Sequence, residues 1–267
     1  MTERVDVILL AGDRGAADPL LTATGVSGKA LVPAAGSPLL SRVGRALARW
    51  PNLGRLIVVA PQHNDYRSAL ADADLESSTT VTWVAPESSV SASVRAGLAA
   101  AQSPTRLLLT ADHALLDPAW LDEMLTAAAD HPRAAVMVGV VDWASVMERF
   151  PGSRRTRYRF SDGSICGTNL FVLRSPEAER LLLIWQGVEQ QRKRPWRIVS
   201  LLGLGNLSRY MLGQLTLASA FRALSRRLNI EIMPVRISDP LSAVDVDSVE
   251  DLRLVESVLA EQGDGPC

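Results

Sequence analysis

The chain is poor in the residues on which most nucleophilic and metal chemistry is built. It has three histidines, His63, His113 and His131, and two cysteines, Cys166 and Cys267. No Ser-His-Asp or Cys-His arrangement stands out among them. The cysteines form neither metal-ligand spacing nor a disulfide framework, which is the pattern expected in a reducing cytoplasm. An excess of one charge is also missing: 28 basic residues face 29 acidic ones, a formal net charge of −1. Nothing in that balance asks for a nucleic acid or an anionic membrane as the main partner. No ordered succession of charged region, apolar region and cleavage site opens the chain, so no signal peptide is expected. The Leu-rich stretch 198–224 is interrupted by Asn206, Arg209, Gln214 and Arg222, too polar for a membrane span. It fits a pair of amphipathic helices packed within the protein, with attachment to a membrane surface as the alternative. No Gly/Ser-rich linker, repeat or low-complexity tract divides the 267 residues, of which 47% are hydrophobic. One domain, 1–267, with a helical insertion over about 176–228, is the simplest organisation.

What is present is a regular alternation. Val5–Ala11, Leu56–Ala60, Val81–Ala85, Leu107–Thr110 and Ala135–Val141 are short apolar runs ending in turn signals, the pattern of buried strands. Between them Leu39–Trp50, Tyr66–Ala73, Ser91–Ala101 and Pro118–Ala129 have helical spacing. Asp117 is placed to cap the last of these and Pro118 to occupy its first turn. Further on, Ser164–Leu173 and Ile230–Ile237 have strand character, while Pro176–Gln190, 196–228 and Ser248–Leu259 have helical character. Alternating strands and helices imply an α/β fold with a mostly parallel sheet covered on both faces. Active sites of such sheets lie beyond the carboxyl ends of the strands, which directs attention to the residues following each strand.

Three such places carry chemistry. After the first strand comes Leu10-Ala11-Gly12-Asp13-Arg14, with Gly28-Lys29-Ala30-Leu31-Val32-Pro33 downstream. Glycine at a strand end lets the backbone approach a ligand, and successive N–H groups can cradle a base or phosphates. Arg14 and Lys29 would set positive charge against a triphosphate. The segment is neither a Walker A loop nor a dinucleotide fingerprint, and an ordinary surface loop is the alternative. Second, Leu107-Leu108-Leu109-Thr110-Ala111-Asp112-His113 delivers a carboxylate to the sheet edge. Asp112 there suits Mg²⁺, which takes a few carboxylates plus substrate oxygens, or else caps the next turn. His113 fits packing or hydrogen bonding better than catalysis. Third, in Asp245-Val246-Asp247-Ser248-Val249-Glu250-Asp251-Leu252, strand alternation would put Asp245 and Asp247 on one face. A divalent cation would relieve their repulsion, while Asp247 or Ser248 could cap the final helix. The basic run Arg154-Arg155-Thr156-Arg157-Tyr158-Arg159 reads by default as a solvated face.

The scarcity of histidine would cause no difficulty if the chain transferred a group to a phosphate monoester. A phosphate monoester has a second pKa of about 6, so it is largely ionised at neutral pH. It can attack the α-phosphorus of an NTP unaided. The protein must then supply alignment and charge neutralisation by Mg²⁺, Lys and Arg.

In order and in type, these segments resemble the MobA-like NTP transferase family, relatives of sugar-nucleotide and cytidylyl transferases. The matching pieces are Leu-Ala-Gly with Lys-Ala-Leu-Val-Pro, Gly-Ser-Pro-Leu-Leu at 36–40, Thr-Ala-Asp at 110–112 and Asp-Val-Asp-Ser-Val-Glu-Asp-Leu at 245–252. Ser-Ala-Ser-Val-Arg-Ala-Gly-Leu at 91–98 resembles a segment near the base in this family, though Ser93 equally fits an ordinary helix. The first loop departs from the family's usual Leu-Ala-Gly-Gly by carrying Asp13. The resemblance implies a Rossmann-like, three-layer, GT-A-like nucleotidyltransferase fold. It implies that Leu10, Ala11, Gly12, Asp13, Arg14, Lys29 and Ser93 contact an NTP, CTP or GTP for preference. Asp112, Asp245 and Asp247 would hold Mg²⁺, with Lys29, Arg14 and Asp112 assisting transfer. Within Ser161–Leu170 the family pattern makes Asn169 either an acceptor ligand or a structural hydrogen-bonder. Arg157 and Lys193 are candidates for the acceptor phosphate. The reaction implied is NMP transfer to a phosphorylated sugar or polyol with release of pyrophosphate. A MobA-type guanylyltransferase is a narrower option. A metal-dependent glycosyltransferase, which usually carries Asp-x-Asp at mid-chain, and a non-catalytic nucleotide-binding domain are the alternatives.

Overall fold

The computed structural model describes residues 4–12, 18–75, 79–174, 176–179, 181–182 and 203–263. Its centre is a sheet in the order β10-β7-β9-β6-β1-β4-β5, with β8 paired to β9. The strands are β1 Val5–Leu10, β4 Leu53–Val59, β5 Val81–Val84, β6 Arg106–Thr110, β7 Val136–Asp142, β8 Tyr158–Phe160, β9 Gly163–Leu173 and β10 Ile232–Arg236. β1 is parallel to β4 and β6, β4 to β5, and β7 to β10. The long β9 is antiparallel to both β6 and β7 and joins the two parallel groups. A two-stranded hairpin, β2 Pro33–Ala34 and β3 Ser37–Pro38, turns on Ala35 and Gly36, whose φ values are 47° and 79°. Two successive positive φ values give a turn whose twist matches a hairpin.

Strand alternation divides the core. Val5, Val7 and Leu9 of β1 and Leu107 and Leu109 of β6 face one apolar cluster, whereas Ile8 and Leu108 face another. The larger cluster is covered by α2 Leu39–Ala48, α3 Asn64–Ala71, α5 Pro118–Asp130, α6 Trp143–Arg149 and the final helix Val249–Glu261. Opposite lies α4 Val90–Ala100, through Val94 and Leu98. The helix Leu217–Leu228 joins it there, with Phe221, Leu224 and Leu228 packed on the same cluster. The result is an α/β fold with a mostly parallel sheet between helices, as the alternation of the sequence requires.

The expected strands all appear, within a residue or a few at their ends. The short α1 Pro19–Thr24, α6 and β8 lacked a strong periodic signal. Pro176–Ala178, expected to open a long helix, form a 3-10 turn, and 183–202 lie outside the described residues. Among the described residues of 196–228, two helices are seen, Leu204–Met211 and Leu217–Leu228. The second is seated by Leu217, Ala220 and Ala223, but the first buries no residue. Among the described residues no helix is long and apolar enough to cross a membrane.

Candidate active site

The loops that follow β1, β6 and the 3-10 turn Pro240–Ala243 meet at the carboxyl edge of the sheet. Two backbone bonds anchor the first loop. The Ala11 N–H donates to Val59 O at 2.9 Å, and the Ala111 N–H donates to Leu10 O at 2.8 Å. Ala11 is buried, while Gly12 stands exposed beside Pro86 of the loop after β5. Asp13 and Arg14 lie outside the described residues. A third bond, from the Val246 N–H to Asp112 O at 3.0 Å, docks the late acidic segment onto the end of β6. That segment is not a regular strand as the alternation suggested, yet it keeps the alternation. Val244 and Val246 are fully buried, and Asp245 and Asp247 project from the other side.

Around this junction the carboxylates divide between two protein cations. Lys29 opens a 3-10 turn whose next apolar residues, Ala30 and Val32, are buried. Its ammonium donates to Asp112 Oδ2 at 2.6 Å and to Asp247 Oδ1 at 2.5 Å. Thr110 Oγ1 donates to the other oxygen of Asp112. Burial works to lower the Lys29 pKa, but the two carboxylates outweigh it and hold the amine above its ordinary value. Burial likewise works to raise the Asp112 pKa. The Lys29 charge, His113 and the Thr110 hydroxyl outweigh burial and hold the carboxyl far below the usual range. Asp112 therefore does not cap a turn; Asp117 accepts the Ala119 N–H at the start of α5, and Ser248 accepts the Asp251 N–H at the start of the final helix.

The second cation is Arg155. It pairs with Asp245, donates to Asp245 O at 2.9 Å and to Asp251 Oδ1 at 2.8 Å, and has a side chain only 10% exposed. The basic run is thus not uniformly solvated: Arg154, Thr156 and Arg159 are exposed, whereas Arg155 is drawn inward. The surplus of carboxylates at 245–251 was the available sequence signal, since a buried acidic group needs a cation. Asp245 also accepts a hydrogen bond from Asn169 Nδ2 at 2.9 Å. Asn169 reaches it because β9 is bulged against β7. The register passes from Val138↔Phe171 to Val140↔Gly167, and Asn169 takes φ 52°. A bulge re-aims a side chain in this way, and Asn tolerates the left-handed conformation. Gly139 faces the bulge; a Cβ there would lie 2.3 Å from Thr168 Oγ1.

His113 lies beside these carboxylates. It is 1% exposed, and neither imidazole nitrogen has a hydrogen-bond partner among the described residues. Burial pushes its pKa down to about 4, with Asp112 opposing and Arg155 and Lys29 assisting. One ligand atom each from Asp112, His113 and Asp245 lie within 4.8 Å of one another. Oxygen donors at this spacing, beside an orphaned buried nitrogen, fit a divalent cation. Asp247 is linked to this group through Lys29.

The remaining candidates are less concentrated. Arg157 stacks on Trp143, 4.1 Å from the ring centroid, and donates to Ser164 Oγ at 3.0 Å. Ser93 is buried in α4, where its hydroxyl accepts the Glu87 N–H at 2.8 Å and fixes the loop after β5. Lys193 lies outside the described residues.

The fold is shared with known proteins. A hypothetical transferase from Thermus thermophilus superposes with a TM-score of 0.74 at 28% identity, covering 93% of this chain and 99% of that one. CMP:2-keto-3-deoxy-manno-octonic acid synthetase complexed with CTP gives a TM-score of 0.62 at 12% identity, covering 97% and 100%. The 4-diphosphocytidyl-2C-methyl-D-erythritol synthase of Anaerococcus prevotii DSM 20548 gives 0.55 at 10% identity, covering 97% and 100%. These last two share the Rossmann-like nucleotidyltransferase fold. Among curated protein sequences no significant match is found. The family model of the MobA-like NTP transferase domain matches residues 7–158, more than half of the chain, and the protein belongs to that family.

Proposed function

We propose that this protein transfers a nucleoside monophosphate from an NTP to a phosphorylated sugar or polyol, releasing pyrophosphate. The observation that carries the reading is the convergence of Lys29, Asp112, Asp245 and Asp247, distant in sequence, at the mouth of the first loop. An acceptor phosphate oxygen attacks the α-phosphorus, the bond from that phosphorus to the β-phosphate oxygen breaks, and pyrophosphate leaves. The acceptor is already ionised, so the residues have charge and geometry to manage rather than a proton. Lys29, fully protonated between its two carboxylates, is placed to turn toward a triphosphate. The exposed backbone at Gly12, with Asp13 and Arg14 beyond it, suits the nucleotide. Asp112 and Asp245, with Asp247 alongside, would hold Mg²⁺, which when bound neutralises phosphate charge as it develops. Asn169, bonded to Asp245, and Arg157 would meet the acceptor, and Ser93, which holds the loop after β5, would border the base.

CTP is the first nucleotide to test, because CMP:2-keto-3-deoxy-manno-octonic acid synthetase is complexed with CTP on the same fold. GTP with molybdopterin tests the MobA-type variant. The experiment is a pyrophosphate-release screen of the four NTPs against sugar phosphates, polyol phosphates and molybdopterin in Mg²⁺. The expected result is release that requires both an NTP and one acceptor class. Turnover of a nucleotide sugar without pyrophosphate overturns the reading in favour of glycosyl transfer; nucleotide binding without any turnover overturns it in favour of a non-catalytic domain.

A further inference from the structure

We infer that His113 is a direct metal ligand, so that this site takes a first-row transition ion in preference to Mg²⁺. The inference rests on the reading above that the carboxylate cluster holds a divalent cation. It adds which atoms bind and which ion they select. Both nitrogens of His113 are buried without a hydrogen-bond partner among the described residues, although the ring is 1% exposed. Buried polar atoms are ordinarily satisfied, and leaving one unpaired costs roughly 1–3 kcal/mol. A packing histidine would be expected to bond at least one nitrogen to a neighbouring carbonyl or hydroxyl. This one instead shares a 4.8 Å cluster with carboxylate oxygens of Asp112 and Asp245.

The neighbours hold the two carboxylates in place while leaving them capacity to bind. Asp112 takes Thr110 on one oxygen and Lys29 on the other. Asp245 takes Arg155 on one and Asn169 on the other. Each carboxylate oxygen has two acceptor sites, so a lone pair is left on each for an ion. With one nitrogen and two oxygens from the protein, the remaining positions belong to phosphate oxygens and water. Mg²⁺ favours an all-oxygen shell. Imidazole in the ligand set steepens the rise in affinity from Mn²⁺ through Co²⁺ to Zn²⁺. Nothing in the Thr-Ala-Asp motif requires a histidine after the aspartate, so the preference would be a property of this chain.

The test uses the full chain, metal-stripped and reloaded with Mn²⁺. Electron spin-echo spectroscopy of bound Mn²⁺ should show modulation from a directly coordinated ¹⁴N in the unaltered protein. That modulation should vanish in His113→Gln. Calorimetric titrations should show His113→Gln weakening Co²⁺ about 10–100-fold, while Mg²⁺ affinity changes less than about 3-fold. Thermal melting of the variant separates a lost ligand from a lost fold, and the ¹⁴N signal of the unaltered chain is independent of any variant. If Mn²⁺ binds, is lost in Asp112→Asn, and yet carries no ¹⁴N coupling, the histidine assignment is overturned and the carboxylate site stands. If Asp112→Asn leaves Mn²⁺ binding intact, the carboxylate site itself is wrong.

Discussion

The site has two halves of similar burial, set apart by the exposed Asp247 and by the kind of cation each uses. In the outer half Lys29 bridges Asp112 and Asp247, and the Asp247 side chain remains 41% exposed. In the inner half Arg155 joins Asp245 and Asp251 with side-chain exposures of 10%, 14% and 20%. Both halves neutralise carboxylates with a basic side chain. The outer one is an ammonium on a flexible stem, which under the proposed reaction would release its partners to a triphosphate. The inner one is a planar fork with several hydrogen bonds, suited to holding the final helix and the late acidic segment in register. If the proposed reaction holds, ion pairs made by carboxylates two residues apart, Asp245 and Asp247, serve architecture in one case and chemistry in the other.

The sharpest way to break this comparison is to remove each centre in turn. Asp112→Asn should lower kcat for pyrophosphate release by a factor of about 10²–10³ or more, as expected when a group stabilising transition-state charge is lost. Lys29→Met should lower kcat on a similar scale, about 10²-fold, while the melting temperature falls modestly. Arg155→Met should do the reverse. Removing one partner of a buried charge network costs about 3–5 kcal/mol, so urea unfolding should shift more than for Lys29→Met. If Arg155→Met unfolds no more easily than Lys29→Met, the architectural role assigned to the inner half is wrong.

Acid sharpens the contrast in the metal-free protein. His113 has its pKa lowered by burial to about 4 from an ordinary 6.5, so the unfolded chain binds its proton first. The stability held by the neutral ring is complete above pH about 6.5 and is lost as the pH falls toward about 4, amounting to about 3 kcal/mol. Asp112, held low, adds a second loss below the ordinary carboxylate range. Denaturant midpoints measured across pH in chelator should show both phases, and His113→Gln should retain only the lower one. The smallest expected effect is at Asn169→Gly. It keeps the left-handed backbone accessible but removes the bond to Asp245, at about 1–2 kcal/mol. Asn169→Leu, which adds a strained φ, should be more destabilising still by thermal melting.

Much of this was legible before any coordinates. The strands and their order along the chain followed from short apolar runs between helical periods. Asp112 was singled out by its position after a strand, Asp245 and Asp247 by their alternation, and Lys29 by the resemblance of its segment to the family's. The default reading failed at Arg155, because a run of arginines looks the same whether it is solvated or half drawn inward. A histidine after a strand-end aspartate carries no period or spacing, so nothing local showed that His113 lies near Asp245. Asn169 was visible as a polar residue in an apolar strand, but its orientation depends on a bulge packed against Gly139 of the neighbouring strand, where a Cβ would clash.

The sequence by itself determined the layered α/β architecture and the identity of the acidic and basic groups, because periodicity and strand-end position are local properties of the chain. Only the tertiary structure decided which carboxylate meets which cation. That pairing depends on contacts such as the Val246 amide on the Asp112 carbonyl, between segments whose separation along the chain leaves no local pattern to read.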